Sequence, residues 1–108
     1  MKGGCMWLGD PNIRAKLEQR RRQLLVHSII YYILNDNIVS DAKWSQWAAE
    51  LVELQKKYPD IAKTSVYAEA FSDFDGSTGY DLPLDDEWGI NKALQLLRYR
   101  DKQKQGGM

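Results

Sequence analysis

The stretch LLVHSIIYYILNDNIVSDAKWSQWAAELVELQKKYP, residues 24–59, holds two helical patterns separated by a few polar residues. In its first half, Leu24, Leu25, Ile29, Tyr31 and Tyr32 extend a spacing that starts upstream with Ile13 and Leu17. Between Leu24 and Leu34 the helix is apolar on most sides, which predicts that its C-terminal half is buried. Asp10-Pro11 supplies a start, an acceptor at the cap and a proline at the one helical position that needs no N–H. Asn35-Asp36-Asn37 ends the run. Ser40 caps the next helix, and Asp41 suits its positive first turn. Trp44, Trp47, Ala48, Leu51, Leu54 and Tyr58 then form one stripe, which Pro59 stops. The short link Asn35–Val39 makes the two helices, about 11–35 and 40–58, an antiparallel hairpin.

Beyond the hairpin the pattern weakens. A short helical turn is expected within Ile61–Ala70. Residues 71–84, with two glycines, a proline and several Asp and Ser, read as a long structured loop anchored by Phe71, Phe74 and Tyr80. Asp85, Asp86 and Glu87 open a C-terminal helix, about 86–104, whose buried face is Ile90, Ala93, Leu94 and Leu97. Residues 1–9 are expected to form a loose arm whose Met6, Trp7 and Leu8 dock on the body, and residues 105–108 a frayed tail. The expectation is a single all-α domain over residues 1–108.

Composition narrows the function classes. The formal net charge is zero, so no global case for nucleic acid or an anionic membrane arises. The charge is uneven: residues 1–35 and 91–108 are basic, while 36–90 carry twelve acidic residues against four basic ones. Complementarity between packed segments accounts for this, or else a basic surface for a phosphate-bearing ligand. A lone cysteine, Cys5, forms no internal disulfide, and no apolar run reaches the roughly 20 residues of a membrane span. A cytoplasmic protein is expected.

Several catalytic motifs fail on inspection. Asp73-Phe-Asp75-Gly76 resembles the phosphatase Asp-x-Asp-Gly motif but follows no apolar strand. Counted as an EF-hand, the same loop has Thr78 where glycine belongs and Leu84 where the bidentate glutamate belongs, leaving only casual cation binding. His27, the single histidine, has no metal-type companions nearby and reads as a packed or hydrogen-bonded residue. Arg20-Arg21-Arg22 diverges around the helix and reads as a solvated face. Nucleophile-elbow, dinucleotide-fingerprint and Walker patterns are missing from the sequence.

Residues His27–Ser45, continuing through Glu50-Leu-Val-Glu-Leu-Gln-Lys-Lys-Tyr-Pro59, resemble the opening domain of bacterial NAD-dependent DNA ligases. The shared order is an aromatic pair near a helix end, a short turn, Ser-Asp-x-x-aromatic, and an amphipathic helix closing on proline. The resemblance covers about residues 17–62. It implies a helical hairpin that clamps the nicotinamide mononucleotide half of NAD. Tyr31 and Tyr32 match the aromatic pair, Asp41 the aspartate after the turn, and Trp44 a position usually held by tyrosine. Ser45 stands where the family usually has aspartate, removing a charge. The residue types suit the ligand: a cationic ring favours π-faces, and a carboxylate accepts from ribose hydroxyls. Arg22 or His27 is expected near the phosphate. Against this stand plainer readings, Tyr31, Trp44 and Trp47 as hairpin core and Asp41 as a helix-capping residue.

The ligase's Lys-x-Asp-Gly adenylation motif and zinc cysteines do not occur in these 108 residues. The expected function is therefore non-catalytic binding of an NAD-related nucleotide, with no cofactor required. By association with free-standing ligase-like proteins of phages and prophages, the role would be sequestration of an NAD-derived signal against host defence. The alternative is a protein-interaction module whose acidic loop (Asp73, Asp75, Asp81 and Asp85–Glu87) binds a host nucleic-acid enzyme. A third reading has the loop carboxylates hydrolyse a nucleotide. The apolar breadth of the first helix favours a homodimer.

Overall fold

The two periodic stretches fold as helices that return on each other, and a computed structural model describes residues 11–106. The expected arm 1–9, the cap Asp10, and residues 107 and 108 lie outside the described residues. Helix α1 runs Pro11–Tyr32 and α2 Asp41–Lys57. A short α3 spans Pro59–Thr64, and α4 spans Glu87–Gly106. Among the described residues the regular structure is all helical, as the periodicity predicts. The C-terminal helix continues two residues past its expected end.

Local chemistry sets the boundaries. The α1–α2 turn closes through Asn35, whose φ of 53° is left-handed, a region asparagine tolerates better than most residues. Ser40 caps α2, its hydroxyl accepting the Lys43 N–H at 3.1 Å. Tyr58, at φ −128° and ψ 66°, breaks the helix before Pro59 is reached. Proline there begins α3 at a first-turn position, where a missing N–H costs nothing. Asp86 caps α4 by accepting the Gly89 N–H at 2.8 Å.

Helix α1 is the spine. Leu17, Leu24, Leu25, Val26, Ile29 and Ile30 are buried between α2 on one side and α4 on the other. Burying each such side chain contributes roughly 1.5–3 kcal/mol, so this contact dominates the fold. It covers the apolar residues of α1 as far as Ile30, while Tyr31, Tyr32 and Ile33 stay exposed. On α2 the predicted stripe faces inward, with Ala48 and Leu51 buried and Trp44, Trp47, Leu54 and Tyr58 packed against the core. Helix α4 buries Ala93 with Ile90 and Leu97 alongside, but Leu94 faces solvent. Leu96 packs on the core instead, so the inward face of α4 is Ile90, Ala93, Leu96 and Leu97.

Residues 65–86 wrap the hairpin without regular structure. Phe71 and Leu82 are buried and Phe74 packs on the core, as an anchored loop requires. Tyr80 is exposed and contributes an edge contact to Tyr32 instead of a buried anchor.

The arginine triplet is not a solvated face. Arg21 is 1% exposed. Its Nε and Nη2 donate to Gln55 Oε1 at 3.0 and 2.8 Å, Nη2 to the Ala62 carbonyl at 2.9 Å, and Nη1 to the Val66 carbonyl at 2.8 Å. The Phe71 ring lies 5.7 Å from the guanidinium carbon, and Gln55 Nε2 donates to the Phe71 carbonyl. Burial lowers the pKa of Arg21, and Glu18 acts in the opposite direction. Arg20 instead pairs with Glu50 at 2.9 Å, and Arg22 lies over Trp88. Successive helical residues are about 100° apart, so the three arginines meet α2, the core and α4 in turn.

Candidate functional site

Where α1 ends and α2 begins, the hairpin opens into a cleft of about 200 Å³. From α1 it is lined by His27, Ser28, Tyr31 and Tyr32, and from the turn by Asn37, Ile38, Val39 and Ser40. Helix α2 adds Asp41, Trp44 and Ser45, and the wrapping loop closes the third side with Ser77, Thr78 and Gly79. Sites that bury drug-sized molecules occupy about 300–1,000 Å³, so this cleft suits one ring with part of its sugar and not a whole dinucleotide.

Each wall has a local cause. Residues 27, 28, 31 and 32 fall on one helical face at spacings of three and four. Tyr31 and Tyr32 meet edge-on, with ring centroids 4.9 Å apart, and Tyr31 is 53% exposed at the rim. Its ring is not core. Trp44 is half-buried and meets Phe74 edge-on at 6.2 Å, leaving its other side to the cleft. Trp47 lies deeper, against His27 at 5.5 Å and between the cations of Arg20 and Lys43. It is a packing residue and does not line the cleft. Asp41 projects from the first turn of α2, exposed, while Ser40 does the capping.

The turn and the loop are tied down separately. Arg100 of α4 grips Asp36 with two bonds of 3.0 Å and donates to the Asn37 carbonyl at 3.2 Å. Arg100 also donates to Asp101 Oδ1 at 3.0 Å, and the bonds to Asp36 first and Asp101 second raise its pKa. On the opposite wall the Tyr32 and Thr78 hydroxyls share a hydrogen bond of 2.9 Å, and the Tyr80 N–H donates to Thr78 Oγ1. Asp75 accepts from the Ser77 hydroxyl and N–H, which holds its carboxyl below the usual range and shapes the turn before the wall. Gly79 passes over Ser28 so closely that a Cβ would overlap the serine hydroxyl and come 3.1 Å from Trp44 Cζ2. Only glycine lets the backbone close the cleft there.

Six of the seven residues singled out in the sequence line this cleft: Tyr31, Tyr32, Asp41, Trp44, His27 and Ser45. Arg22 does not. It lies five residues, about 7.5 Å along the axis, before His27 and turns toward Trp88 on α4. Among the described residues lining the cleft there is no Lys or Arg, so a phosphate would find no cation inside. His27 is packed as expected, but its Nδ1 is buried without a hydrogen-bond partner, and burial lowers its pKa. Sequence reasoning missed Ser28 and the Ser77–Gly79 wall. A polar residue amid the apolar run was a usable signal for Ser28; nothing local marked the wall.

Asp73, Asp75, Asp81, Asp85 and Glu87 of the acidic loop are exposed, and two of the loop's carboxylates have local partners. Asp86 caps α4 and accepts from the Tyr67 hydroxyl, and Asp75 is committed to Ser77. Among the described residues no group of three or more His, Cys, Asp or Glu is placed to hold a metal ion. No described helix is long and apolar enough to cross a membrane.

Comparison with known proteins agrees with the geometry. A family described as DNA ligase-like, N-terminal NAD+-binding domain matches residues 10–65. The DNA ligase of Pseudothermotoga lettingae is 38% identical over 50 residues, 46% of this chain and 7% of the ligase. That of Petrotoga mobilis is 40% identical over 50 residues, 46% and 8% of the respective chains. The Thermotoga maritima ligase is 30% identical over 46 residues, 43% and 7%. The chain thus spans less than a tenth of the length of these relatives. No solved structure matches it.

Proposed function

From the premise that this chain belongs to the family of DNA ligase-like, N-terminal NAD+-binding domains, we propose that it binds the nicotinamide mononucleotide end of an NAD-related nucleotide. The observation that carries this reading is the cleft that gathers Tyr31, Tyr32, Asp41 and Trp44 around one space the size of a ring and a sugar. The nicotinamide ring of NAD is flat and positively charged. It lies against the faces of Trp44 and the tyrosine pair, where cation–π attraction contributes about 0.5–2 kcal/mol. The Asp41 carboxylate accepts from the ribose hydroxyls and adds a favourable field for the ring cation. Ser45, in place of a second carboxylate, leaves Asp41 as the one acidic side chain among the described lining residues.

With no Lys or Arg among the described lining residues, the proposed phosphate lies on the solvent side of the cleft. Recognition then comes from ring and sugar, and nicotinamide riboside binds within about tenfold of the mononucleotide. The role is binding without chemistry, and the wider function that goes with it is capture of an NAD-derived signal by a phage-type protein. Isothermal titration with nicotinamide mononucleotide, NAD and cyclic ADP-ribose tests the reading. Saturable heat with the mononucleotide, weakened by Asp41→Asn, is expected, as is recovery of the ligand intact after denaturation. No heat with nicotinamide mononucleotide or NAD overturns it, and heat with cyclic ADP-ribose alone does so equally, because that nucleotide carries no nicotinamide.

A further inference from the structure

The floor of the cleft holds two polar atoms for which the fold provides nothing. Ser28 is 2% exposed, and its Oγ has no hydrogen-bond partner; neither has Nδ1 of its neighbour His27. Leaving such a group buried and unpaired is unfavourable, so a ligand that pairs it gains what the free protein forgoes. Both residues line the cleft. The Gly79 backbone presses on the Ser28 hydroxyl from the loop side, and Gly79 lines the cleft as well.

We infer that Ser28 and His27 together read the carboxamide of the nicotinamide ring, so that the cleft accepts nicotinamide nucleotides and discriminates against their nicotinate counterparts. The inference rests on the nucleotide reading above and adds the group that selects among such ligands. A primary carboxamide carries an acceptor oxygen and a donor NH2 side by side. The serine hydroxyl donates to the oxygen. An imidazole kept neutral by burial offers Nδ1 as acceptor for the amide N–H.

A carboxylate fails there on three counts. It has no N–H for the imidazole nitrogen. It must shed its water at a floor where the described lining supplies no cation. It also shares the cleft with the Asp41 carboxylate, which repels it. The same Asp41 favours the ring cation, so the site prefers a ligand that is positive at the ring and neutral at its substituent.

Titration of the full chain at pH 7.5 with nicotinamide mononucleotide and nicotinic acid mononucleotide tests this. The amide is expected to bind at least tenfold tighter. Ser28→Ala should reduce that ratio several-fold while leaving the thermal midpoint unchanged or raised, because it removes an unpaired buried hydroxyl. Equal binding of the two ligands to the unaltered protein overturns the carboxamide inference and leaves the nucleotide site standing. A ratio that survives Ser28→Ala undiminished also overturns it. Binding of neither ligand overturns both this inference and the proposed function.

Discussion

Arg21 and Ser28 lie seven residues apart on α1, two turns along the same helical face, and both are almost wholly buried. At Arg21 every nitrogen of the guanidinium has an acceptor within the chain, drawn from α2, α3 and the loop. At Ser28 the hydroxyl has none. The helix surrounds, the apolar neighbours and the depth are similar, so local environment does not explain the difference. The protein solves its own polar problem at one end of the hairpin and leaves it open at the other. A buried charge fully met by protein oxygens is architecture; a buried hydroxyl facing a cleft is a place for a ligand.

The comparison can be broken most forcefully at Arg21. Arg21→Met keeps the length of the side chain but strips donors from Gln55, Ala62 and Val66, and should destabilise the fold by about 3 kcal/mol or more. A urea midpoint close to that of the unaltered protein would show that the network contributes packing alone. The next effect is at Gly79, where a Cβ must displace Ser28 or Trp44. Gly79→Ala should cost about 1–3 kcal/mol as overpacking does, and weaken nucleotide binding with it. Intact stability and binding would mean that the loop moves freely and forms no wall.

Smaller effects sharpen the other side. Asp41→Asn removes the charge while α2 keeps its Ser40 cap, so binding of nicotinamide mononucleotide should weaken about tenfold, about 1.4 kcal/mol. The unfolding curve should barely move. An unchanged affinity with an altered midpoint would return Asp41 to a purely structural role. The mildest test is pH. Burial holds His27 below its ordinary value of 6.5. The unfolded chain therefore takes up the proton first, and stability from this group is complete above about 6.5 and declines as pH falls toward the folded value. Nucleotide binding should decline at lower pH than that, as the folded imidazole itself takes up the proton and no longer accepts at Nδ1. Affinity that stays flat through the pH range in which the His27 ring is seen by NMR to protonate in the folded protein would separate His27 from the ligand.

The hairpin was legible because α1 and α2 repeat their apolar residues at helical spacing, and Ser40 and Pro59 mark ends that the structure respects to within a residue or two. The half of the site carried by those helices was legible too, through Tyr31, Tyr32, Asp41 and Trp44. Arg21 was misread because a run of three arginines gives no direction by itself. Its azimuth was in fact available, since Leu17, Leu24, Leu25 and Ser28 share its face. The wall at Ser77–Gly79 was not legible. Its position depends on where Phe71 and Leu82 bury and on how Thr78 meets Tyr32, and these are distant contacts that no local pattern encodes.

The reach of the Arg21 guanidinium has one more consequence. The recognisable family segment ends at residue 65, yet the guanidinium closes its shell on the Val66 carbonyl and against Phe71. Cutting the molecule to the borders of that segment would take the Val66 acceptor and the Phe71 ring from Arg21 and strip away the far bank of the cleft. The stretch that sequence comparison can delimit is thus shorter than the stretch that completes the core. A fragment of residues 10–65 would be a poor proxy for the whole chain.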